Sequence, residues 1–389
     1  MLAPFNKPIN VTSPLLPEKL NVHMQIDEIW DNKWLTNNGP KHEQLTDELK
    51  EYLGADYLSL FSNGTLALLL ALKALNLSGE VITTPFTFPA TLQALDWNGL
   101  TPVFCDIDPI TLNIDVTKIE SLITERTSAI LAVHVFGNPC EVESIQRIAD
   151  RYQLKVIYDG AHVFGLKYHD TPIGQYGDAT MFSFHATKLF NTIEGGGVVF
   201  KNQEVYERAQ LLKNFGLAGP EAVVLSGLNA KLNEVQASVG LEVLKLVNRE
   251  REKREQIRKA YEEGLADIPG IRIVTNLIGD QSSYQYFVIT VDEEEFGQSR
   301  DWLYEELKHF NIFSRRYFSP LCSEFHWYQH LESAQANQLP VANRIVKKVL
   351  SMPYYGDLSV ESVKKICEII HYLQKLAMSE NYSMNSGVM

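Results

Sequence analysis

The chain has 389 residues, of which 45% are hydrophobic and 21% charged, as in an ordinary soluble globular protein. Its formal net charge of −13 argues against a general binder of nucleic acids or membrane surfaces, because such proteins need a basic field. No stretch reaches the roughly 20 apolar residues that span a bilayer, and the amino terminus has no apolar run of signal-peptide length. The four cysteines form no Cys-x-x-Cys pair, so we expect reduced thiols in a cytoplasmic protein.

Seven short runs of β-branched or aromatic residues predict strands in the first half of the chain. They cover residues 57–61, 81–85, 101–107, 129–136, 155–160, 179–184 and 197–200. Helical patterns, such as that of residues 141–153, separate most of them. The alternation predicts an α/β fold with a mostly parallel seven-stranded sheet and helices on both faces. The strands lack strict polar alternation, as expected when both faces are buried.

The second half of the chain predicts a smaller α+β domain. One long charged helix over residues 232–265 would lead into it, followed by strands near 271–275 and 284–291 and helices near 297–309 and 359–377. We therefore predict a large domain over residues 1–250, a small carboxyl-terminal domain over residues 251–378, and a flexible tail over residues 379–389.

Four groups of residues follow predicted strands, at the sheet edge where α/β proteins bind ligands. Gly64 and Thr65 open a helix, where backbone N–H groups either bind a phosphate or are only capped. Phe88 follows the second strand and either stacks on a planar ligand or belongs to the core. Asp159 ends the fifth strand and is either a helix cap or the counter-charge of a protonated ring nitrogen. Lys188 ends the stretch SFHATK and is either a solvated loop charge or a nucleophile.

Other chemistries find no support in the sequence. It contains no dinucleotide-binding, P-loop, nucleophile-elbow or HExxH motif. The histidines are dispersed and no close carboxylate pattern accompanies them, so no metal site is predicted.

Taken in order, these groups resemble the sugar-aminotransferase family of the DegT/DnrJ/EryC1/StrS type, a branch of the fold-type-I enzymes that use pyridoxal 5′-phosphate. The resemblance extends from WLTNNGP (residues 34–40) to RRYFSPL (residues 315–321). Its most specific part is SFHATK followed by NTIEGG. The resemblance implies a large domain that binds the cofactor and a smaller carboxyl-terminal domain.

The resemblance also implies a role for each matching residue. Lys188 would bond covalently to the cofactor and later move a proton between the substrate carbon and the cofactor. Asp159 would pair with the ring nitrogen and keep it protonated. The other implied cofactor contacts are Gly64, Thr65 and Ser183 at the phosphate, Phe88 on the ring face, His162 beside the ring hydroxyl, and Asn229 from the neighbouring subunit. A contact from the neighbouring subunit implies a homodimer with active sites at the subunit interface.

The same resemblance implies a substrate class. Because residue 188 is lysine rather than histidine, transamination is favoured over removal of a sugar hydroxyl. The predicted reaction moves the amine of L-glutamate onto a nucleotide-linked keto-deoxysugar, in particular dTDP-4-keto-6-deoxy-D-glucose at C4. Predicted substrate contacts are His185, Lys213, Arg315 and Tyr317. The alternatives are amination at C3 of a dTDP-3-keto-6-deoxyhexose, a dehydratase that retains the lysine, and a non-catalytic regulator that binds a nucleotide sugar.

Overall fold

The computed structural model describes residues 2–274 and 283–386, with side chains up to residue 379. Within these residues the helices are α1 (Lys19–Asn32), α2 (Pro40–Leu53), α3 (Gly64–Ala74), α4 (Pro89–Asp96), α5 (Val116–Ile119), α6 (Val142–Tyr152), α7 (Gln203–Leu212), α8 (Glu234–Leu244), α9 (Val247–Leu265), α10 (Glu293–Phe296), α11 (Arg300–His309), α12 (Pro340–Ile345) and α13 (Val360–Ser386). Single 3₁₀ turns lie at Glu120–Leu122, Val135–Gly137, Ile173–Gln175, Cys322–Glu324 and Glu332–Ala334.

The strands are β1 (Tyr57–Phe61), β2 (Glu80–Thr83), β3 (Thr101–Phe104), β4 (Thr127–Val133), β5 (Lys155–Asp159), β6 (Lys167–Tyr168), β7 (Thr171–Pro172), β8 (Ala179–Ser183), β9 (Gly196–Phe200), β10 (Leu217–Gly219), β11 (Ala222–Val223), β12 (Ile271–Ile273), β13 (Phe287–Val291) and β14 (Val349–Met352). Seven of them form the main sheet in the order β1-β9-β8-β5-β4-β2-β3. Strand β9 is antiparallel to both of its neighbours, and the remaining pairs in this sheet are parallel. The predicted mostly parallel seven-stranded sheet is confirmed, with one strand in each predicted segment.

Both faces of the main sheet are buried. Along β2, Val81 packs into one apolar cluster and Ile82 into another. Helices α3, α4 and α7 cover the first face, and α2, α6 and α8 cover the second. Burial on both faces explains why the strands read as continuous apolar runs.

Polar caps begin several of the covering helices. The side chain of Asn63 accepts a hydrogen bond from the N–H of Leu66 at the start of α3. Asn233 and Gln236 form a reciprocal capping box at the start of α8. Such caps satisfy backbone donors that have no partner inside the helix, and they fix the residue at which each helix begins.

The smaller lobe is built on the antiparallel sheet β12-β13-β14. Helices α9, α11 and α13 pack against it in a separate apolar cluster. The predicted strands and helices of this region are confirmed, although residue 275 lies outside the described residues. Strand β14 was not predicted, because its four residues carry no periodic signal. The domain bounds stay a prediction, and the one predicted at residue 250 falls in the first turn of α9.

Two predictions about helices are wrong in detail. The helix predicted over residues 232–265 is two helices, α8 and α9, separated at Lys245 and Leu246. The break occurs because α8 packs on the main sheet, whereas α9 packs mostly in the smaller lobe. Helix α13 continues to Ser386 through most of the predicted flexible tail, since extending an existing helix adds one hydrogen bond per residue. Residues 387–389 lie outside the described residues.

Two further observations concern the cysteines and the length of the helices. Cys105, Cys140, Cys322 and Cys367 are all buried and unpaired. In the described part of the chain, no helix combines the length and the apolar content needed to cross a bilayer.

Candidate active site

A cavity of about 770 Å³ lies between the carboxyl ends of β1, β5 and β8 and residues of the smaller lobe. This is the sheet edge at which open α/β folds bind ligands. The predicted site residues that line it are Gly64, Thr65, Phe88, Asp159, His162, Ser183, His185, Lys188, Arg315 and Tyr317. In the described ranges, 2–274 and 283–386, no cluster of side chains is suited to hold a metal ion.

One end of the cavity is the amino terminus of α3. A Cβ atom built on Gly64 would lie 3.1 Å from both Cβ and Oγ of Ser183, so glycine lets the helix start approach the end of β8. Thr65 is exposed on the first turn of the helix. Unpaired backbone N–H groups and two hydroxyl groups therefore converge, and the helix dipole favours an anion there. This end of the cavity fits a phosphate group.

Asp159 is buried at the end of β5. Its carboxylate accepts hydrogen bonds from Oγ1 of Thr91 at 2.8 Å and from the N–H of Ala161 at 3.1 Å. Burial raises the pKa of Asp159, while these two hydrogen bonds and the positive charge of Lys188 act in the opposite direction. A buried carboxylate needs a cationic partner to stay ionised, and a protonated ring nitrogen supplies one.

Lys188 projects into the cavity from the loop after β8. Its Nζ donates a hydrogen bond to the hydroxyl of Tyr286 at 3.2 Å. Burial lowers the pKa of Lys188, and the neighbouring Tyr317 and Asp159 partly offset that effect. A lysine with a lowered pKa is more often neutral, which suits a nucleophile or a general base. This environment is not that of a solvated loop charge.

Phe88 and His162 complete the walls. Phe88 is 54% exposed and lines the cavity, so it does not belong to the core. His162 is buried, and its Nδ1 accepts the backbone N–H of Phe136 at 3.2 Å. Burial and the charge of Lys188 hold the pKa of His162 well below its usual value, so the ring is neutral. Both side chains line the cavity, so both are available to contact a planar ligand there.

His185, which was predicted to contact the substrate, is exposed at the rim of the cavity. Its Nδ1 lies 2.8 Å from Oγ1 of Thr187, and its Nε2 lies 3.6 Å from Oε1 of Glu194. Glu194 also lines the cavity, and the sequence interpretation missed it although it belongs to the NTIEGG stretch.

Two predicted residues lie outside the cavity lining. Lys213 is buried, with Nζ donating to the backbone oxygen of Leu60 at 3.2 Å and lying 5.8 Å from the ring centre of Phe61. The prediction that Lys213 contacts the substrate is therefore wrong, because its side chain covers the edge strand β1 instead. Asn229 is exposed and accepts a hydrogen bond from Lys231 at 2.8 Å. Its predicted contact with a neighbouring subunit stays a prediction.

Removing the hydroxyl that supports Asp159 is expected to shift the pH dependence of the enzyme. In Thr91→Val the carboxylate loses a hydrogen bond that favours its charged form, so the pKa of Asp159 rises. We expect the acid limb of kcat to move to higher pH and kcat at neutral pH to fall by about threefold to tenfold. Steady-state rates between pH 5 and 9 test this. Thr91→Ser, which keeps the hydroxyl, is the control, and an unchanged acid limb in Thr91→Val would contradict it.

Burial of Lys213 predicts a stability that depends on pH. Burial, with a contribution from Lys231, lowers the pKa of Lys213 from 10.5 to about 7. Between these two pH values the unfolded chain binds the proton and the folded chain does not, so the free energy of unfolding rises with pH. The slope is roughly 1 kcal/mol per pH unit. Lys213→Met should abolish this contribution in urea titrations at fixed protein concentration between pH 7 and 10, and equal slopes for both proteins would refute it.

Together, the helix start suited to phosphate, the buried carboxylate, the exposed aromatic ring and the lysine define the site of a pyridoxal-phosphate-dependent aminotransferase. The family model described as "DegT/DnrJ/EryC1/StrS aminotransferase family" matches residues 18–371. The chain belongs to this family, and it is an aminotransferase that uses pyridoxal 5′-phosphate.

Two relatives and one solved structure agree with this assignment. The chain is 46% identical to "dTDP-4-amino-4,6-dideoxy-D-glucose transaminase" of Escherichia coli, over 94% of this chain and 98% of that protein. It is 44% identical to a protein of the same description from Shigella dysenteriae, over 95% of this chain and all of that protein. The structure of DesI in the presence of its TDP-sugar product matches with a TM-score of 0.91 at 33% identity, over 99% of this chain and 97% of that one.

Proposed function

We propose that the protein transfers the amine of L-glutamate to C4 of dTDP-4-keto-6-deoxy-D-glucose. The observation that carries the proposal is the similarity over nearly the full length to two transaminases whose names contain the corresponding C4 amino sugar. The likeness to DesI, whose structure was determined with a TDP-sugar product, supports a nucleotide sugar as acceptor.

The residues of the cavity would have different roles in such a reaction. The cofactor, when bound, draws electrons away from the carbon that carries the amine. Gly64, Thr65 and Ser183 would hold its phosphate, and Asp159 would keep the ring nitrogen protonated. Lys188 would take the proton from the donor carbon and later deliver a proton to the sugar carbon. The low polarity around Lys188 suits that work, because burial lowers its pKa towards the working pH.

The homodimer with shared active sites is part of the same proposal. Its support is a group of exposed apolar side chains in the amino-terminal segment and in the loop that carries Asn229, which a second copy would cover. They are Leu16, Leu20, Met24, Trp30, Trp34, Leu35, Phe215, Val223, Val224 and Leu228.

Mixed dimers test whether Asn229 acts across the interface. We expect Lys188→Ala and Asn229→Ala homodimers each to have low activity. Denaturing and refolding them together should restore activity, because one site of each mixed dimer then has both residues intact. If mixing restores nothing, although native mass spectrometry shows that mixed dimers form, Asn229 does not serve the neighbouring site.

The substrate assignment is tested by incubating the protein with L-glutamate and a panel of dTDP-, UDP- and GDP-linked 4-keto and 3-keto sugars. The expected product is a dTDP sugar with an amine at C4, identified by mass spectrometry and NMR. Amination at C3 alone would replace the proposed regiochemistry. Loss of a hydroxyl without amine transfer would indicate a dehydratase, and no reaction with any sugar would indicate a non-catalytic binder.

The cellular setting follows from the product. We propose a cytoplasmic enzyme, in keeping with its four buried, unpaired cysteines. The amino sugar would be a precursor for a surface polysaccharide such as the O-antigen of lipopolysaccharide. One relative, 32% identical, is described as a spore coat polysaccharide biosynthesis protein of Bacillus subtilis.

A further inference from the structure

The loop that carries Lys188 is held by a side chain of the smaller lobe. Gln285 is buried just before the start of β13. Its Oε1 accepts the backbone N–H of Leu189 at 2.7 Å, and its Nε2 donates to the backbone oxygen of Thr187 at 3.1 Å. One side chain therefore bonds to the backbone on both sides of Lys188.

The next residue, Tyr286, contacts the amine of Lys188 itself. Its hydroxyl accepts a hydrogen bond from Nζ at 3.2 Å. Its ring is buried and packs edge-on against His162, with ring centres 4.8 Å apart, and against Phe136 at 5.9 Å. The hydroxyl is therefore held in a fixed place by the same wall that would face the cofactor ring.

Both lobes anchor residues 283–286, the segment that carries these two side chains and leads into β13. A Cβ on Gly137 would come within 1.9 Å of Oγ of Ser283, which shows how closely the larger lobe packs against the start of the segment. The backbone oxygen of Tyr284 accepts a hydrogen bond from Arg254 of α9 at 3.0 Å. Gln285 and Tyr286 thus sit on a rigid support, as residues that position a catalytic group must.

We propose that Gln285 and Tyr286 are positioning residues for Lys188, a role that rests on the function proposed above. Gln285 fixes the backbone of the loop, and Tyr286 holds the amine whenever it is not bonded to the cofactor. That state arises after L-glutamate has given up its amine. Lysine has a flexible four-carbon stem, so a free amine without a partner would sample positions from which it cannot reach the substrate carbon.

The groups that face Lys188 set the expected direction of a pH effect. Asp159 reaches it from β5, His162 from the loop after β5, and Tyr286 and Tyr317 from the smaller lobe, with Arg315 stacked on Tyr317. Among these, Tyr286 accepts a hydrogen bond from Nζ, and a charged lysine gains more from that bond than a neutral one. Its loss should therefore lower the pKa of the free lysine.

The test is Tyr286→Phe in the full-length holoenzyme, with Tyr284→Phe as the matched control. Tyr284 lies on the same segment with its ring under Arg251, and it does not line the cavity. The enzyme is first converted with L-glutamate, cleared of glutamate, and then mixed with 2-oxoglutarate over a range of pH. For Tyr286→Phe we expect a plateau rate about tenfold lower, an acid-side midpoint at lower pH, and a change in the half-saturating concentration of less than about twofold.

A second readout does not depend on turnover. In full-length protein freed of cofactor, the rate at which an amine-reactive reagent labels Lys188 is followed against pH by peptide mass spectrometry. The midpoint of labelling should fall in Tyr286→Phe and stay unchanged in Tyr284→Phe. Gln285→Met keeps the length of the side chain but loses both hydrogen bonds. It should lower the plateau rate of the reaction with 2-oxoglutarate about tenfold without moving the acid-side midpoint of that reaction.

The outcomes separate this proposal from the function on which it rests. If wild-type protein does not react with L-glutamate, the proposed function fails. If wild-type protein reacts and both Tyr286→Phe and Gln285→Met match it in rate and midpoint, the positioning role alone is overturned. A variant with a lower melting temperature but normal rate and midpoint would show a structural role only, and would likewise overturn it.

Discussion

Replacing Lys188 by alanine is expected to abolish transamination and to remove the visible absorbance of the lysine-bound cofactor. The residue would supply both the covalent attachment and the base that moves the proton, so its loss removes two functions at once. Removing the nucleophile of an enzyme lowers kcat by about 10⁶-fold in a well-studied case, and we expect a fall of at least about 10⁴-fold here. The measurements are the spectrum of the purified protein and the single-turnover rate with L-glutamate.

Two further variants make the Lys188 result specific. Lys188→Arg keeps a positive charge in the cavity but does not form the covalent bond, so it should be as inactive as the alanine variant. Lys73→Ala removes an exposed lysine from α3 and should leave spectrum and rate unchanged. Retention of the visible band, or of more than about one hundredth of the activity, in Lys188→Ala would show that another group bonds to the cofactor.

The main sheet was predictable because its strands are continuous apolar runs, as burial on both faces requires, and because segments with a clear helical periodicity of apolar residues separate most of them in the chain. Such runs identify strands without reference to distant residues. The break between α8 and α9 was not predictable in the same way. Residues 232–265 carry a helical pattern throughout, and the change of direction at Lys245 depends on which lobe each half packs against.

The residues of the candidate site also fall into two groups, those that a local sequence pattern indicates and those that depend on contacts with distant residues. Residues at strand ends, such as Asp159 and Ser183, were predicted because the carboxyl ends of parallel strands meet at one edge. Thr91 and Gln285 act on partners 68 and 96 residues away, and no local pattern reports contacts over such separations. Lys213 was misplaced because a short motif fixes its position in the chain but not the direction of its side chain, which runs from the end of α7 to the backbone of β1.

The two lobes therefore make different contributions to the site. The larger lobe supplies the groups that would hold the cofactor, namely the start of α3 and the ends of β5 and β8. The smaller lobe supplies Tyr286 and Tyr317, which surround the amine of Lys188. A change in the packing between the lobes would alter the reach of Lys188 before it altered the phosphate site.

Replacing Asp159 by asparagine is expected to lower kcat by about 10²–10⁴-fold, the range that corresponds to losing one partner of a buried ion pair at 3–5 kcal/mol. The amide has the same shape but only one oxygen, so Oδ1 can still accept the N–H of Ala161 while Nδ2 donates to Oγ1 of Thr91. It carries no charge, however, and so does not hold a proton on the ring nitrogen. The cofactor ring then withdraws electrons less strongly from the substrate carbon, and removal of the proton from that carbon becomes slow.

This result is distinct from that of the lysine variants. Because Lys188 is intact in Asp159→Asn, the protein should still show the visible band of the lysine-bound cofactor, with its proton-transfer step slowed. Deuterium at the α-carbon of L-glutamate should therefore give a larger kinetic isotope effect in Asp159→Asn than in the wild-type enzyme. Asp159→Glu, which keeps the charge on a longer side chain, should retain more activity than the amide. If Asp159→Asn turns over within about tenfold of the wild type, the carboxylate is only a cap for the chain after β5, and the ring nitrogen needs no anionic partner in this enzyme.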